Sequence, residues 1–146
     1  MPRIAINGLG RMGKLLLRRL ADEGLAGEIA LVNDKAGDPA SHAHLLEFDS
    51  VHGRWPGAVA HDEGHLVIAG HRIPCTTESS IEALPLAALG VDLVIDCTGT
   101  FKTPAKVQPY YAAGVRNEGL YDRQRQRIRS TSAVVRRIRA TGEQSS

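Results

Sequence analysis

Cysteine, aromatic residues and long apolar runs are all scarce in this sequence of 146 residues. The two cysteines, Cys75 and Cys97, form no C-x-x-C pair and have no histidine at metal-ligand spacing, which argues against a metal site or a disulfide framework. We expect both to be reduced thiols in the core. No apolar run reaches about 18 residues, and the N-terminus lacks the regions of a secretory signal. These absences predict a cytoplasmic protein without membrane or metal contacts.

Charge is unevenly distributed along the chain. Residues 1–115 hold ten Lys and Arg against thirteen Asp and Glu, whereas residues 116–146 hold eight arginines, no lysine and three acids. The composition therefore changes near Val115. This change predicts a globular domain at residues 1–115 and an Arg-rich, disordered tail at residues 116–146.

Predicted strands and helices alternate before that boundary. Apolar runs predict strands at 3–7, 28–33 and 91–97, and a hairpin of 65–69 with 71–75 around Gly70. Helical patterns cover 10–23, 39–48 after an Asp38 N-cap, and 104–113, with a weaker one at 81–89. Helices between strands favour parallel pairing with right-handed crossovers. The fold class is therefore α/β, a doubly wound and mostly parallel sheet.

Residues 5–14 read AINGLGRMGK and contain a glycine motif. Gly8, Gly10 and Gly13 fit G-x-G-x-x-G after a predicted strand and at the start of a predicted helix, where amides and the helix dipole attract a pyrophosphate. Asp34 lies at the end of the next strand, where a carboxylate accepts both hydroxyls of an adenosine ribose. It would repel a 2′-phosphate, so NAD is favoured over NADP, although the adjacent Lys35 leaves that choice open. The alternative is a purely structural glycine turn.

Five stretches together resemble the N-terminal NAD-binding half of phosphorylating glyceraldehyde-3-phosphate dehydrogenase. They are INGLGRMGK, VND, HLLEFDSVHGRW, LGVDLVIDCTGTF and AAGV, and the resemblance runs in order through residues 3–115. AGDPASHAHLLEFDSVHGRW and FKTPAKVQPY are most similar to the branch found alongside arsenic-resistance exporters. Erythrose-4-phosphate dehydrogenase, a close relative, stays open as an alternative. The resemblance implies a Rossmann-type domain of an NAD-dependent oxidoreductase of glycolysis.

The resemblance also implies a role for particular residues in cofactor binding. The implied pyrophosphate contacts are the amides of Arg11 and Met12, the adenosine contacts are Asn33 and Asp34, and the path to the nicotinamide is lined by Thr98, Gly99 and Phe101. Leu9 stands where the family usually has an aromatic residue. The family's usual arginine near the adenine has no match in TTESS.

The family's catalytic motif is absent from this sequence. The reaction needs a cysteine thiolate, a histidine base and phosphate-binding arginines, and the family carries its cysteine in S-C-T-T-N, which this chain lacks. We interpret Cys75 and Cys97 as core residues, His52 as structural or interdomain, and His42 and His44 as solvated. No catalytic residue is predicted, so the chain alone is expected to be inactive unless a second chain supplies the nucleophile.

The Arg-rich segment carries a weaker resemblance. Its L-Y-D and R-I motifs, the second of which ends at Ile128, resemble family residues that lie just before the nucleophile. Since the family has a further strand and loop between AAGV and this segment, we predict that they are deleted here. The sheet would be incomplete at its C-terminal side, and the unpaired edge of strand 91–97 would favour self-association. After Ile128 we interpret the sequence as truncated by out-of-frame reading, a hypothesis that the coding DNA would test.

A binding function for the same arginines is the alternative from another class. Arginines neutralise phosphates, so the tail could bind nucleic acid or another acidic partner while the sheet serves as a scaffold without enzymatic activity. Only Tyr121 is aromatic there, which leaves no stacking platform, and nucleic acid is not the favoured partner.

Overall fold

The computed structural model of the chain describes residues 3–49, 53–54, 59–98, 104–115, 117–122 and 127–129. The predicted residues His52, Gly99 and Phe101 lie outside these ranges. The strands within them are β1 (Ile4–Asn7), β2 (Ile29–Asn33), β3 (Phe48–Asp49), β4 (Gly53–Arg54), β5 (Val59–Asp62), β6 (His65–Ile68), β7 (His71–Thr76), β8 (Leu93–Asp96), β9 (Asn117–Asp122) and β10 (Arg127–Arg129). The α-helices are α1 (Arg11–Asp22), α2 (Pro39–Glu47) and α3 (Pro104–Ala112).

Most strands join one sheet in the order β10-β9-β8-β1-β2-β7-β6-β5. Strands β9, β8, β1, β2 and β7 pair in parallel with one another, whereas the β7–β6, β6–β5 and β9–β10 pairs are antiparallel. The chain moves outward from β1 to β2 and β7, then returns to the other side of β1 to form β8 and β9. This confirms the predicted doubly wound sheet. Its strand order reverses between β1 and β8, where such sheets bind ligands.

Side chains of β1 alternate between the two faces of the sheet. Ile4 and Ile6 pack in one core cluster with Leu17 and Leu20 of α1, while Ala5 packs in a second cluster with Tyr110 of α3. All four residues of β1 are buried, as are those of β8. Helices cover both faces, which explains why the central strands are nearly continuous apolar runs.

The predicted capping and hairpin features are confirmed. Asp38 precedes α2, and its Oδ1 accepts a hydrogen bond from the Ser41 amide at 2.8 Å, as an N-cap does. Strands β6 and β7 form the predicted antiparallel hairpin around Gly70. Of the weak helical pattern at 81–89, only Ile81–Ala83 is helical, as a single 3₁₀ turn. None of the described helices is long and apolar enough to cross a membrane.

The C-terminal side of the sheet differs from the prediction. Strand β9 pairs in parallel with β8, with Leu93 opposite Asn117 and Asp96 opposite Leu120, so the predicted unpaired edge of strand 91–97 is wrong. Backbone groups make this pairing, and it does not require the apolar composition that sequence patterns detect. Apart from β9 and β10, residues 116–146, where disorder and out-of-frame reading are predicted, lie outside the described residues.

Candidate functional site

The glycine turn between β1 and α1 is shaped by two close backbone approaches. Gly8 has a φ of +101°, and a Cβ added to it would lie 2.8 Å from the Thr98 nitrogen. A Cβ on Gly13 would lie 1.9 Å from the Gly8 carbonyl oxygen. Only glycine fits at either position. These two glycines therefore allow the turn, α1 and the end of β8 to pack together.

Gly10 differs from the other two glycines because its surroundings are open. It precedes α1 with a φ of −66°, and a Cβ placed on it would meet no atom within 4 Å. The next residues, Arg11 and Met12, begin the helix, and the first amides of a helix have no acceptor within it. The helix dipole makes this end positive. An anion can therefore approach the backbone closely over Gly10.

Asp34 holds the glycine turn from the end of β2. Its Oδ2 accepts a hydrogen bond from the Leu9 amide at 2.7 Å, and its Oδ1 accepts one from the Ala36 amide at 3.0 Å. The side chain is half-buried. An ionised carboxylate has about four acceptor positions, so two remain for a ligand. The structure thus brings Asp34 to the glycine turn, as the motif spacing predicts.

Lys14 is a further charged residue of this turn that the sequence patterns do not single out. Its ammonium donates a hydrogen bond to the Leu9 carbonyl, so Asp34 and Lys14 hold the two sides of the same residue. Partial burial lowers the pKa of Lys14, and the nearby Asp34 carboxylate acts in the opposite direction. The turn is therefore fixed by one carboxylate and one amine.

A buried hydrogen-bond network begins at the end of β8. Asp96 Oδ1 accepts hydrogen bonds from the Thr98 amide at 2.9 Å and from the Thr98 hydroxyl at 2.6 Å. Asp96 Oδ2 accepts one from the Tyr110 hydroxyl at 2.6 Å. The same hydroxyl accepts a hydrogen bond from Asn7 Nδ2 at 2.7 Å. Helix α3 thus links the ends of β8 and β1.

The network continues from β1 through β2 to β7. Asn33 Nδ2 donates to Asn7 Oδ1 at 2.8 Å, and Asn33 Oδ1 accepts from the Thr76 hydroxyl at 2.7 Å. Asn33 also bonds both backbone groups of Glu78, which fixes the loop after β7. Both polar groups of the Asn33 side-chain amide are thus held by hydrogen bonds to a neighbouring strand or loop. Hydrogen bonds therefore connect the carboxyl ends of four parallel strands.

One crevice is lined by five of the eight predicted cofactor-binding residues that the structure describes. It is lined by Asn7, Gly8, Gly10, Asn33, Asp34, Lys35, Glu78, Ser79, Ser80, Cys97 and Thr98. Gly13 lies beneath the turn, and Arg11 and Met12 begin α1 beside it. Glu78, Ser79 and Ser80 belong to the TTESS stretch and were not predicted as site residues. Their signal is a polar run directly after a strand of the parallel sheet.

The crevice thiol is not poised as a nucleophile. Burial, with a further effect from Asp96, raises the pKa of Cys97 to about 12. Cys75 is also a free, partly buried cysteine, and burial raises its pKa too. A nucleophilic cysteine needs a lowered pKa. Both cysteines therefore have the chemistry of core thiols, and no cluster of three potential metal ligands occurs in the described ranges.

The prediction that His42 is solvated is wrong, whereas His44 is exposed. His42 is only 5% exposed, and its Nε2 lies 3.1 Å from the Ala36 carbonyl oxygen. Helix α2 packs against β5 and β6, and β5 was not predicted. Without that strand, the pattern of a nine-residue helix does not show which side is covered.

Comparison with known proteins gives a consistent result. Residues 2–104 match the family model described as glyceraldehyde 3-phosphate dehydrogenase, NAD binding domain. The chain is 42% identical over 114 residues to a glyceraldehyde-3-phosphate dehydrogenase of Pseudomonas aeruginosa, covering 77% of the chain and 34% of that protein. It is 41% identical over 113 residues to glyceraldehyde-3-phosphate dehydrogenase 3 of Nostoc sp., covering 77% and 33%. The chain spans about a third of the length of these curated relatives.

Proposed function

We propose, because this chain belongs to the glyceraldehyde-3-phosphate dehydrogenase family through its NAD-binding domain, that NAD lies in the crevice at the ends of β1, β2 and β8. One observation carries the proposal: the open backbone over Gly10, the start of α1 and the Asp34 carboxylate all meet at the same turn. A pyrophosphate and a ribose diol match these groups in charge and hydrogen bonding.

The pyrophosphate and the adenosine ribose each have a matching group in this arrangement. The pyrophosphate lies over Gly10 and accepts hydrogen bonds from the amides of Arg11 and Met12. The ribose hydroxyls donate to the free acceptor positions of Asp34, and Asn33 supports the adenosine side. Thr98 begins the nicotinamide side, and its amide is held by Asp96. Gly99 and Phe101 continue that path by family resemblance alone.

NAD is preferred over NADP in this proposal. A 2′-phosphate would stand against the Asp34 carboxylate, and like charges at close range disfavour binding. Lys35 lines the same crevice and is exposed, so it offsets part of this repulsion. Asp34 therefore has the larger effect on the ratio of the NAD and NADP affinities.

The chain alone binds the cofactor without oxidising an aldehyde. The two cysteines of the sequence have raised pKa values, and the sequence lacks the family's S-C-T-T-N motif. Aldehyde oxidation, of glyceraldehyde-3-phosphate or of erythrose-4-phosphate, would need a nucleophile from another chain. The cytoplasmic location and the link to arsenic resistance stay predictions. Self-association also stays untested, but the edge of strand 91–97 no longer supports it, because β9 covers that edge. The second candidate is a non-enzymatic protein that binds acidic partners through its arginines. No contact among the described residues supports it.

Thermal unfolding with and without NAD tests the cofactor proposal. NAD at about 100 times its Kd should stabilise the protein by about 2.7 kcal/mol, which corresponds to a rise in Tm on the order of 10 °C. NADP should give a smaller rise. No rise with NAD at any concentration up to several millimolar would refute the proposal.

The Gly10→Ala variant separates cofactor binding from folding. Its φ of −66° suits any residue and its Cβ meets no protein atom, so the unliganded Tm should stay within a few degrees of the wild type. The added methyl group occupies the surface where the pyrophosphate would lie, so the NAD-dependent rise should be mostly lost. A variant that keeps the full rise would place the pyrophosphate elsewhere.

A further inference from the structure

Lys14 is a charged residue of the glycine turn that does not line the crevice. It lies in α1, its side chain is half-buried, and its ammonium donates a hydrogen bond to the Leu9 carbonyl. Leu9 itself is buried. Lys14 therefore acts on the turn through the backbone and through its charge, and not through the surface that the crevice exposes.

The hydrogen bond of Lys14 orients one peptide of the turn. The Leu9 carbonyl and the Gly10 N–H belong to the same peptide, and none of the described peptide bonds is cis. In a trans peptide the C=O and the N–H point in opposite directions. Because Lys14 holds the carbonyl, the Gly10 N–H is turned away from Lys14. The Leu9 amide is held independently by Asp34 Oδ2 at 2.7 Å.

The proposed ligand places two negative groups at this turn. The pyrophosphate lies over Gly10, and Asp34, which binds the ribose diol, carries a negative charge of its own. Like charges at close range disfavour binding. A carboxylate that is useful for the ribose is therefore unfavourable for the pyrophosphate unless a positive charge lies near it.

Lys14 is placed to supply that positive charge. Lys14 and Asp34 hydrogen-bond to the two backbone groups of the same residue, Leu9, so their charges are close together. The Asp34 charge acts on the Lys14 ammonium. Lys35, the other lysine of this region, lines the crevice but is exposed. Solvent and salt screen an exposed charge more than a half-buried one, so Lys14 is the more effective partner for Asp34.

We infer that Lys14 is a positioning residue of the NAD site, which orients the Leu9–Gly10 peptide and offsets the Asp34 charge, so that one turn binds both the anionic pyrophosphate and the ribose diol. This inference rests on the proposed function. It assigns an effect on affinity to a lysine that does not line the crevice.

Calorimetric titration of the whole chain with NAD at pH 7 and low ionic strength tests the inference. Lys14→Met keeps a long side chain but removes the charge and the hydrogen bond. Its affinity should be about three- to tenfold lower, the effect of one elementary charge near an anion at a partly solvated site. Lys14→Arg keeps a positive charge and N–H donors and should recover most of the affinity. Arg19→Met removes an exposed positive charge from the same helix and should bind as the wild type does.

Salt separates the effect of the charge from a general loosening of the fold. The Debye length falls from about 30 Å at 0.01 M salt to about 3 Å at 1 M salt. The difference in NAD affinity between the wild type and Lys14→Met should therefore shrink as salt is added. A variant that is weakened only because its turn is loosened would show the same difference at both salt concentrations.

The outcomes separate the two proposals. Absence of NAD binding by the wild type at low salt would refute the proposed function and this inference with it. Wild-type binding that Lys14→Met matches, a difference that salt does not change, or a loss in Arg19→Met as large as in Lys14→Met would refute the role of Lys14 alone. If Lys14→Met fails to fold, Lys14→Gln, which keeps an N–H donor without the charge, gives the same comparison.

Discussion

Asp34 performs two tasks at the residue scale. In the free protein it orients the glycine turn through the Leu9 amide and its own loop through the Ala36 amide. In the proposed complex its remaining acceptor positions bind the ribose. Both tasks use an acceptor-only carboxylate, because an amide keeps one accepting oxygen and would present its NH2 hydrogens to one of the two backbone N–H groups.

Replacement of Asp34 by Asn should weaken NAD binding. Hydrogen bonds to a charged group contribute about 1.5–3 kcal/mol, so we expect an affinity about 10- to 100-fold lower and a smaller difference between NAD and NADP. Calorimetric titration with both cofactors measures the two effects. Asp38→Asn is the matched control, since Asn caps a helix as well as Asp and the residue lies outside the crevice. Unchanged NAD affinity in Asp34→Asn would contradict the assignment.

The sequence predicts best those residues of this site whose positions are fixed by their spacing from a strand end. Gly8, Gly10 and Asp34 occupy fixed positions relative to one strand end and the next, so their motif locates them. Tyr110 and Asn7 are separated by 103 residues, and no spacing rule relates them. The burial of His42 has no local signal in the sequence, because its ring packs against Ala36 and Gly37 of the loop before its helix.

At the scale of elements, the buried network joins helix α3 to the strand ends. The Tyr110 hydroxyl is the only group described between Asn7 Nδ2 and Asp96 Oδ2, and the Tyr110 side chain is fully buried. Its loss would leave a buried donor and a buried acceptor unpaired. Such groups cost more than the hydrogen bonds themselves contribute.

Tyr110→Phe should therefore destabilise the domain by about 2–6 kcal/mol, since each of the two unpaired groups costs about 1–3 kcal/mol. Urea denaturation followed by circular dichroism measures the free energy of unfolding. Tyr111→Phe is the neighbouring control at a 43% exposed position, where we expect a change below about 1 kcal/mol. Equal stability of both variants would show that water or rearrangement satisfies the network.

The strands differ in how far their sequences predict them. β1, β2 and β8 are short apolar runs buried on both faces, and the sequence predicts each within a few residues. β5 reads VAHD and carries no continuous apolar run, so its pairing with β6 becomes visible only in the structure. β9 and β10 lie in a polar, Arg-rich segment whose composition predicts a tail. Backbone pairing on a preformed sheet forms these strands without a strong sequence pattern.

At the scale of the whole molecule, the composition change near residue 115 does not coincide with the end of the sheet. Strand β9 covers β8 through four register pairs, and β10 lies outside it. A chain that ends at residue 115 would expose the backbone of β8, whose residues are all buried in the intact sheet. Exposed edges of this kind pair with other chains.

We therefore expect a chain of residues 1–115 to be less stable and to self-associate, whereas one of residues 1–129 should behave as the full chain. Loss of about four backbone hydrogen bonds, each contributing about 0.5–1.5 kcal/mol, lowers the free energy of unfolding by about 2–6 kcal/mol. Urea denaturation and light scattering after gel filtration measure the two effects. If residues 1–115 were monomeric and as stable as residues 1–129, β9 would be dispensable and the compositional boundary would also be the structural one. If only residues 1–115 associate, the sheet itself explains why the domain needs a segment whose composition resembles a tail.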